Sequence, residues 1–256
     1  MLSRSILISP VNKTQFLHAS PKPTRGTTLR IAETFVSRQG EGTLTGNDSF
    51  FVRTSGCNLR CWFCDTPYAS WNPEGDLVSI EDLVRAAVDS GVHHVVLTGG
   101  EPLLWPQSTE LVESLQDAGH HVTIETAGTV DQNARADLLS LSPKFASSAP
   151  DPKKYPGWHE RHNRRRMPIE IMKKLIDQSL DYQVKYVVAH PSDLKEVCTI
   201  TSELGVPADK VWIMPQGVTP EELDATSHWL SDWTRSEGFH DCDRMHIRWY
   251  GNRRGT

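Results

Sequence analysis

Between Phe50 and Met214, short apolar, largely β-branched runs alternate with longer amphipathic stretches, and this alternation restricts the chain to one class of fold. Phe50-Phe51-Val52, Val95-Val96-Leu97, Val122-Thr123-Ile124, Val184 to Val188 and Val211 to Met214 read as strands, with a shorter segment around Leu138 and Leu139. Ser79, with Asp82 three residues on, forms a capping box ahead of a helix striped by Leu83, Val84, Ala87 and Val88. A second helix carries Leu111, Val112 and Leu115 and stops at Gly119, and a third opens at Pro168 with Ile169, Met172, Leu175 and Ile176 inward. Leu194 to Leu204 gives another, and Thr219-Pro220-Glu221-Glu222 starts the last. Met245, Ile247 and Trp249 alternate as in a final strand. Strands joined by helical crossovers predict an α/β fold, a parallel sheet with helices outside and ligands at the carboxyl ends of the strands.

Directly after the first of these strands come Cys57, Cys61 and Cys64, spaced C-x3-C-x2-C and followed by Asp65 and Thr66. An electron-carrying cluster takes four cysteines, so three thiolates on one loop leave one iron open to a second molecule. A structural zinc site would require a fourth ligand, usually in a second pair, and Cys198 and Cys242 each stand alone. Cys198 falls beside Leu194 and Val197 and reads as a small buried thiol. Five cysteines without a secretion signal do not describe a disulfide framework.

The spacing is similar to that of the radical S-adenosylmethionine superfamily. That resemblance implies a partial (incomplete) parallel β/α barrel, a 4Fe-4S cluster held by Cys57, Cys61 and Cys64, and S-adenosyl-L-methionine chelated at the open iron. Three further features are narrower: the turn Ser37-Arg38-Gln39-Gly40-Glu41-Gly42, Arg53 four residues before Cys57, and the ending Tyr250-Gly251-Asn252-Arg253-Arg254-Gly255-Thr256. With the Cys-Asp-Thr triplet they resemble the 7-carboxy-7-deazaguanine synthase family from about Leu29 onward.

That resemblance implies a radical-mediated contraction of 6-carboxy-5,6,7,8-tetrahydropterin to 7-carboxy-7-deazaguanine with loss of ammonia, in queuosine and 7-deazapurine biosynthesis. Its implied substrate residues are Arg38, Gln39, Gly40, Glu41, Arg53 and Thr98, with Glu125 contacting either substrate or cofactor. The types suit a pterin: Gln39, Glu41 and the Gly40 backbone can read its amide and amino edge, and Arg53 can pair two-pronged with its carboxylate. Phe63, Cys64, Asp65, Gly99, Gly100, Glu101, Ser142, Lys144 and Gln216 are the implied cofactor residues. Thr66 is the implied ligand of Mg2+, and a homodimer and a flavodoxin-type reductant are the implied partners. Within the superfamily the rival is a glycyl-radical activating enzyme acting on a protein.

With 256 residues and 38% hydrophobic content, residues 29–256 are expected to form one domain, preceded by a loosely ordered extension over residues 1–28. The net charge of −5 argues against nucleic acid as a partner, and no apolar run is long enough to cross a membrane. Reduced thiols point to the cytoplasm. The segment from Asp151 to Arg166 holds six cationic and two acidic residues and reads as a solvated loop, with a docking patch for an acidic electron donor or a lid as alternatives. His93, His94, His120 and His121 read as surface residues at strand starts.

Overall fold

The computed structural model describes residues 27–256. The expected extension lies outside the described residues except for Thr27 and Thr28, and Thr28 already belongs to the first strand. The elements in chain order are β1 (Thr28–Arg38), β2 (Asp48–Thr54), β3 (Asp76–Ser79), α1 (Ile80–Ser90), β4 (His94–Gly99), α2 (Ser108–Asp117), β5 (His121–Thr126) and β6 (Leu138–Leu141). They continue with α3 (Pro156–Arg165), α4 (Ile169–Gln178), β7 (Asp181–Val188), α5 (Asp193–Leu204), β8 (Val211–Pro215), α6 (Pro220–Ser236), β9 (His240–Asp241) and α7 (Met245–Tyr250).

The strands form one sheet in the order β3-β1-β2-β4-β5-β6-β7-β8-β9. From β2 to β9 every neighbouring pair is parallel. β1 runs antiparallel to both β2 and β3, so one edge carries an antiparallel flank that the alternation after Phe50 does not reveal. The sheet is open, a partial barrel as expected.

Side chains on a strand alternate between faces, and here the two faces differ in chemistry. Val95, Leu97, Val122, Ile124, Leu139, Leu141, Val184, Tyr186, Val188, Val211 and Ile213 join one apolar core with residues of the surrounding helices. The intervening Thr98, Thr123, Ser140, Gln183 and Lys185 are buried too, on the opposite, inner face. The helices thus hold the outer face in place by apolar burial, while the concave face keeps polar groups for a ligand.

Helix α1 begins as expected: Ser79 Oγ accepts the N–H of Asp82 at 3.1 Å, and Ile80, Leu83 and Ala87 are buried. Val88 is exposed instead. Cys198 is also exposed, correcting its reading as a buried thiol. The inward face of α5 is centred on Asp193, Val197, Ile200 and Leu204, and Cys198 lies one position, about 100°, round from Val197. Met245 to Trp249 form a helix and not a strand, with Ile247 alone buried. Five residues are too few for period to separate the two, and the N–H of Met245 donating to Gly40 O at 2.9 Å sets the outcome.

The expected loop at 151–166 is mostly helix α3. Pro156 sits in its first turn, Arg164 and Arg165 favour its C-terminal dipole end, and Arg164 pairs with Glu160 one turn away. It lacks an apolar stripe, which is why it reads as loop.

Candidate active site

The cysteine loop leaves the carboxyl end of β2 and is braced from within. Arg60, itself buried, donates from Nη1 to the carbonyls of Cys57 (2.8 Å) and Leu59 (2.7 Å), and Trp71 Nε1 donates to Cys61 O at 3.0 Å. Helix α3 supports it from outside: the N–H of Arg60 donates to His162 Nδ1 at 3.2 Å, and Ser148 Oγ lies 2.9 Å from His162 Nε2. Cys64 Sγ lies 3.0 Å from Ser70 Oγ and 3.8 Å from Thr66 Oγ1.

Burial, with the neighbouring Glu101 and cysteines adding to it, pushes the Cys57 thiol up to about 12. Burial likewise raises Cys61 to about 11, opposed by Lys144. Both are neutral thiols until a metal displaces their protons. Among the described residues no three His, Cys, Asp or Glu side chains converge to hold a single metal ion. A cluster asks less convergence of its ligands than a zinc ion does, because each thiolate takes a different iron.

The strand ends beside the loop approach it closely. A Cβ at Gly99 would stand 2.4 Å from Thr54 O, and one at Gly100 would stand 2.3 Å from Gly56 O. Glu101 is fully buried, and its carboxylate accepts from Thr126 Oγ1 (2.7 Å), the N–H of Ala127 (2.9 Å) and that of Leu103 (3.1 Å). It clamps the ends of β4 and β5 together, while its N–H donates to Gly56 O at 2.9 Å and ties this strand end to the start of the cysteine loop. Lys144 Nζ donates to Ser142 O and Oγ at 2.8 and 2.7 Å, at the end of β6.

A cavity of about 870 Å³ opens between this loop and the turn after β1. It is lined by Arg38, Gln39, Gly40, Glu41 and Arg53 on one side, by Phe63, Cys64, Asp65 and Thr66 on another, and by Gln216. Thr98 and Glu125 connect to it from the inner face of the sheet. Gln39 Nε2 donates to Glu125 Oε1 at 3.2 Å, and Thr98 Oγ1 donates to Glu125 Oε2 at 3.0 Å.

Four further residues join these groups that the sequence reading did not single out. Lys185 Nζ donates to Glu41 Oε2 at 2.7 Å and to Glu125 Oε1 at 3.4 Å. Arg244 donates from Nε to Glu41 Oε1 (3.3 Å), from Nη1 to Gly217 O (2.8 Å) and from Nη2 to Asp65. His246 packs so tightly on Gly40 that a Cβ there would lie 2.5 Å from its Nδ1. Glu33 accepts from Arg53 Nε at 2.7 Å, from Tyr68 OH at 2.7 Å and from Arg254 Nε at 3.2 Å. A lysine within the apolar run Val184 to Val188 is a legible signal, since a buried cation needs carboxylate partners. Arg244 and His246 were hidden by the misread final strand.

The electrostatics keep Glu41, Asp65 and Lys185 charged. Burial would raise the Glu41 carboxyl, but Lys185, Arg244 and His246 outweigh it and hold Glu41 well below the usual range. Burial opposes Asp65 in the same way and Arg244 overrides it. Burial would lower Lys185, yet Glu125 and Glu41 raise it. The cavity wall is therefore a set of fixed charges at neutral pH.

The Radical SAM superfamily model matches residues 51–191. A curated 7-carboxy-7-deazaguanine synthase of Rhodopirellula baltica is 58% identical over 228 residues, 89% of this chain and 89% of that protein. Another, from Halobacterium salinarum, is 43% identical over 234 residues, 87% of this chain and 90% of that one. Among solved structures, QueE from Escherichia coli matches with a TM-score of 0.60 at 20% identity, over 84% of this chain and 93% of that chain. SuiB of Streptococcus suis matches at 0.51 and 16% identity, over 74% of this chain and 47% of that one. These two are likenesses of fold. The cysteine loop, the open parallel sheet and the two close relatives together mean that this chain belongs to the 7-carboxy-7-deazaguanine synthase family of the radical S-adenosylmethionine superfamily.

Proposed function

We propose that the cavity is where 6-carboxy-5,6,7,8-tetrahydropterin is contracted to 7-carboxy-7-deazaguanine with release of ammonia. The observation that carries this reading is one cavity with the Gln39–Glu41 turn and Arg53 on one wall and the cysteine loop on the other. Its size suits a small ligand and a nucleoside cofactor side by side. When bound, the 4Fe-4S cluster and S-adenosyl-L-methionine supply a radical that abstracts a hydrogen atom from the substrate.

The residues position and shield. Cys57, Cys61 and Cys64 hold the cluster. Phe63, Asp65, Gln216, the backbone of Gly99, Gly100 and Glu101, and the Ser142–Lys144 pair are the cofactor's contacts in this reading. Arg53 uses Nε for Glu33, and among the described residues neither of its terminal nitrogens has a hydrogen-bond partner, which suits a two-pronged grip on a carboxylate. Gln39, Glu41, the Gly40 backbone, Arg38 and Thr98 fix the pterin edge. Glu125, joined to Gln39, Thr98 and Lys185, belongs with them on the substrate side. Thr66, whose hydroxyl among the described residues has one hydrogen-bonding neighbour, Cys64 Sγ at 3.8 Å, ligates Mg2+ together with the substrate carboxylate in this reading. A homodimer, a flavodoxin-type reductant and a cytoplasmic setting complete the reading. The family supports these three, and the free cysteines support the last. Among the described residues no helix is long and apolar enough to cross a membrane.

The test is anaerobic incubation of the iron-loaded protein with the carboxypterin, S-adenosyl-L-methionine and dithionite, with and without magnesium. Formation of the deazaguanine with loss of ammonia by mass spectrometry, faster with magnesium, is expected. Cofactor cleavage with the pterin left unchanged would refute the substrate assignment.

A further inference from the structure

The synthase reading needs an electron delivered from outside the chain, and helix α3 with the segment before it lies outside the cavity lining. Helix α3 and the residues before it hold Lys153, Lys154, Arg161, Arg164, Arg165 and Arg166 against Asp151 and Glu160, in a chain whose net charge is −5. Among the described residues, Lys153, Lys154, Arg161 and Arg165 have no acidic side chain within ion-pair distance, and all four are exposed.

Aromatic side chains lie among these cations. Tyr155 is 44% exposed while packing edge-on against Trp71 at 4.9 Å. Trp158 is flanked by two guanidinium groups, Arg60 at 4.0 Å and Arg161 at 4.1 Å from its ring centre. Exposed aromatics and arginines are the residue types enriched where protein partners dock, and a cationic rim selects an acidic one. The patch is also joined to the cysteines by rigid links: His162 receives the N–H of Arg60, and Trp62 donates from its N–H and Nε1 to Ser148 O and Ser147 O.

We propose that α3 and the segment leading into it form the docking surface for an acidic one-electron carrier protein, which is oxidised by one electron as the cluster held by the neighbouring cysteine loop is reduced by one. The proposal rests on the synthase reading only in requiring that electron. Docking here puts the carrier against the loop that holds the metal and leaves the mouth of the cavity to substrate.

The experiment uses the iron-loaded protein and oxidised flavodoxin, an acidic flavoprotein, with affinity measured by calorimetry at roughly 20 mM and 200 mM salt. Wild type is expected to bind, about tenfold more weakly at the higher salt. Lys153→Glu with Lys154→Glu and Arg164→Glu is expected to weaken binding at low salt about tenfold or more and to remove most of the salt response. Lys153→Arg with Lys154→Arg should bind as wild type does. Turnover driven by reduced flavodoxin should fall with affinity, whereas turnover driven by dithionite should be unchanged in the triple variant. Unchanged flavodoxin affinity in the triple variant, or no measurable affinity in wild type, would overturn the proposal. Absence of dithionite-driven product in wild type would count against the synthase reading instead, and the calorimetry would still decide the docking surface.

Discussion

Arg53 is aimed before any substrate arrives, because Glu33 fixes its Nε and Phe35 lies under its guanidinium at 5.7 Å. Arg53→Ala therefore removes a preorganised charge-assisted pair, worth about 1.5–3 kcal/mol, and should raise the KM for carboxypterin roughly ten- to a hundredfold. Arg53→Lys should recover only part of this, since an ammonium group does not reproduce the planar fork. Steady-state kinetics beside the iron–sulfur absorption spectrum checks both, and a wild-type KM in Arg53→Ala would remove the residue from the site. At this scale the sequence is most legible where chemistry depends on spacing: Cys64, the Gln39–Glu41 turn and Arg53 line one cavity, while Cys57 and Cys61 lie on the same loop outside its lining. It is least legible where a role depends on distant partners. Arg244 acquires its role from Glu41, Asp65 and Gly217, each remote in the chain, and no local pattern announces that.

Among the elements, the strands and amphipathic helices with clear periods were readable, and the two helices that were not have little apolar patterning. Helix α7 is six residues long with one buried side chain, and α3 buries only His162. That histidine makes α3 testable. Burial first, then Arg166, Lys144 and His159, lower its pKa to about 4, so it is neutral in the folded chain at neutral pH. An unfolded histidine titrates near about 6.5. Between those values the unfolded chain takes up a proton that the folded chain does not, so His162 costs stability progressively as pH falls from 6.5 to 4 and no further below that. In the iron-free protein, the drop in melting temperature between pH 7 and pH 4.5 should be smaller for His162→Gln than for wild type. Equal drops would show that the imidazole does not titrate as described.

For the molecule as a whole, the inner face of the sheet carries paired charges beside a few buried apolar side chains such as Val96, Leu138 and Met214. Lys185 is 3% exposed and joins Glu41 from the turn after β1 to Glu125 at the end of β5. Removing it leaves two buried carboxylates short of a partner, so Lys185→Met should destabilise the fold by about 3–5 kcal/mol despite its matching length. Adding Glu41→Gln should restore part of the loss, a coupling that denaturant melts of the two single variants and the double variant would measure. Additive losses would mean that the pair is not a unit.

The stitching of Gly40 to Met245 and His246 also bears on how this scaffold could be given a different specificity. The superfamily match covers residues 51–191, while the Gln39–Glu41 turn and Arg244 lie outside it, on opposite flanks. Yet the two flanks meet, Met245 donating to Gly40 O and Arg244 donating to Glu41. A chimera that grafted a new turn after β1 while keeping the native α7 would set a foreign side chain against His246 and strand the Arg244 guanidinium. The two ends are one heritable unit, and a swap has to carry both.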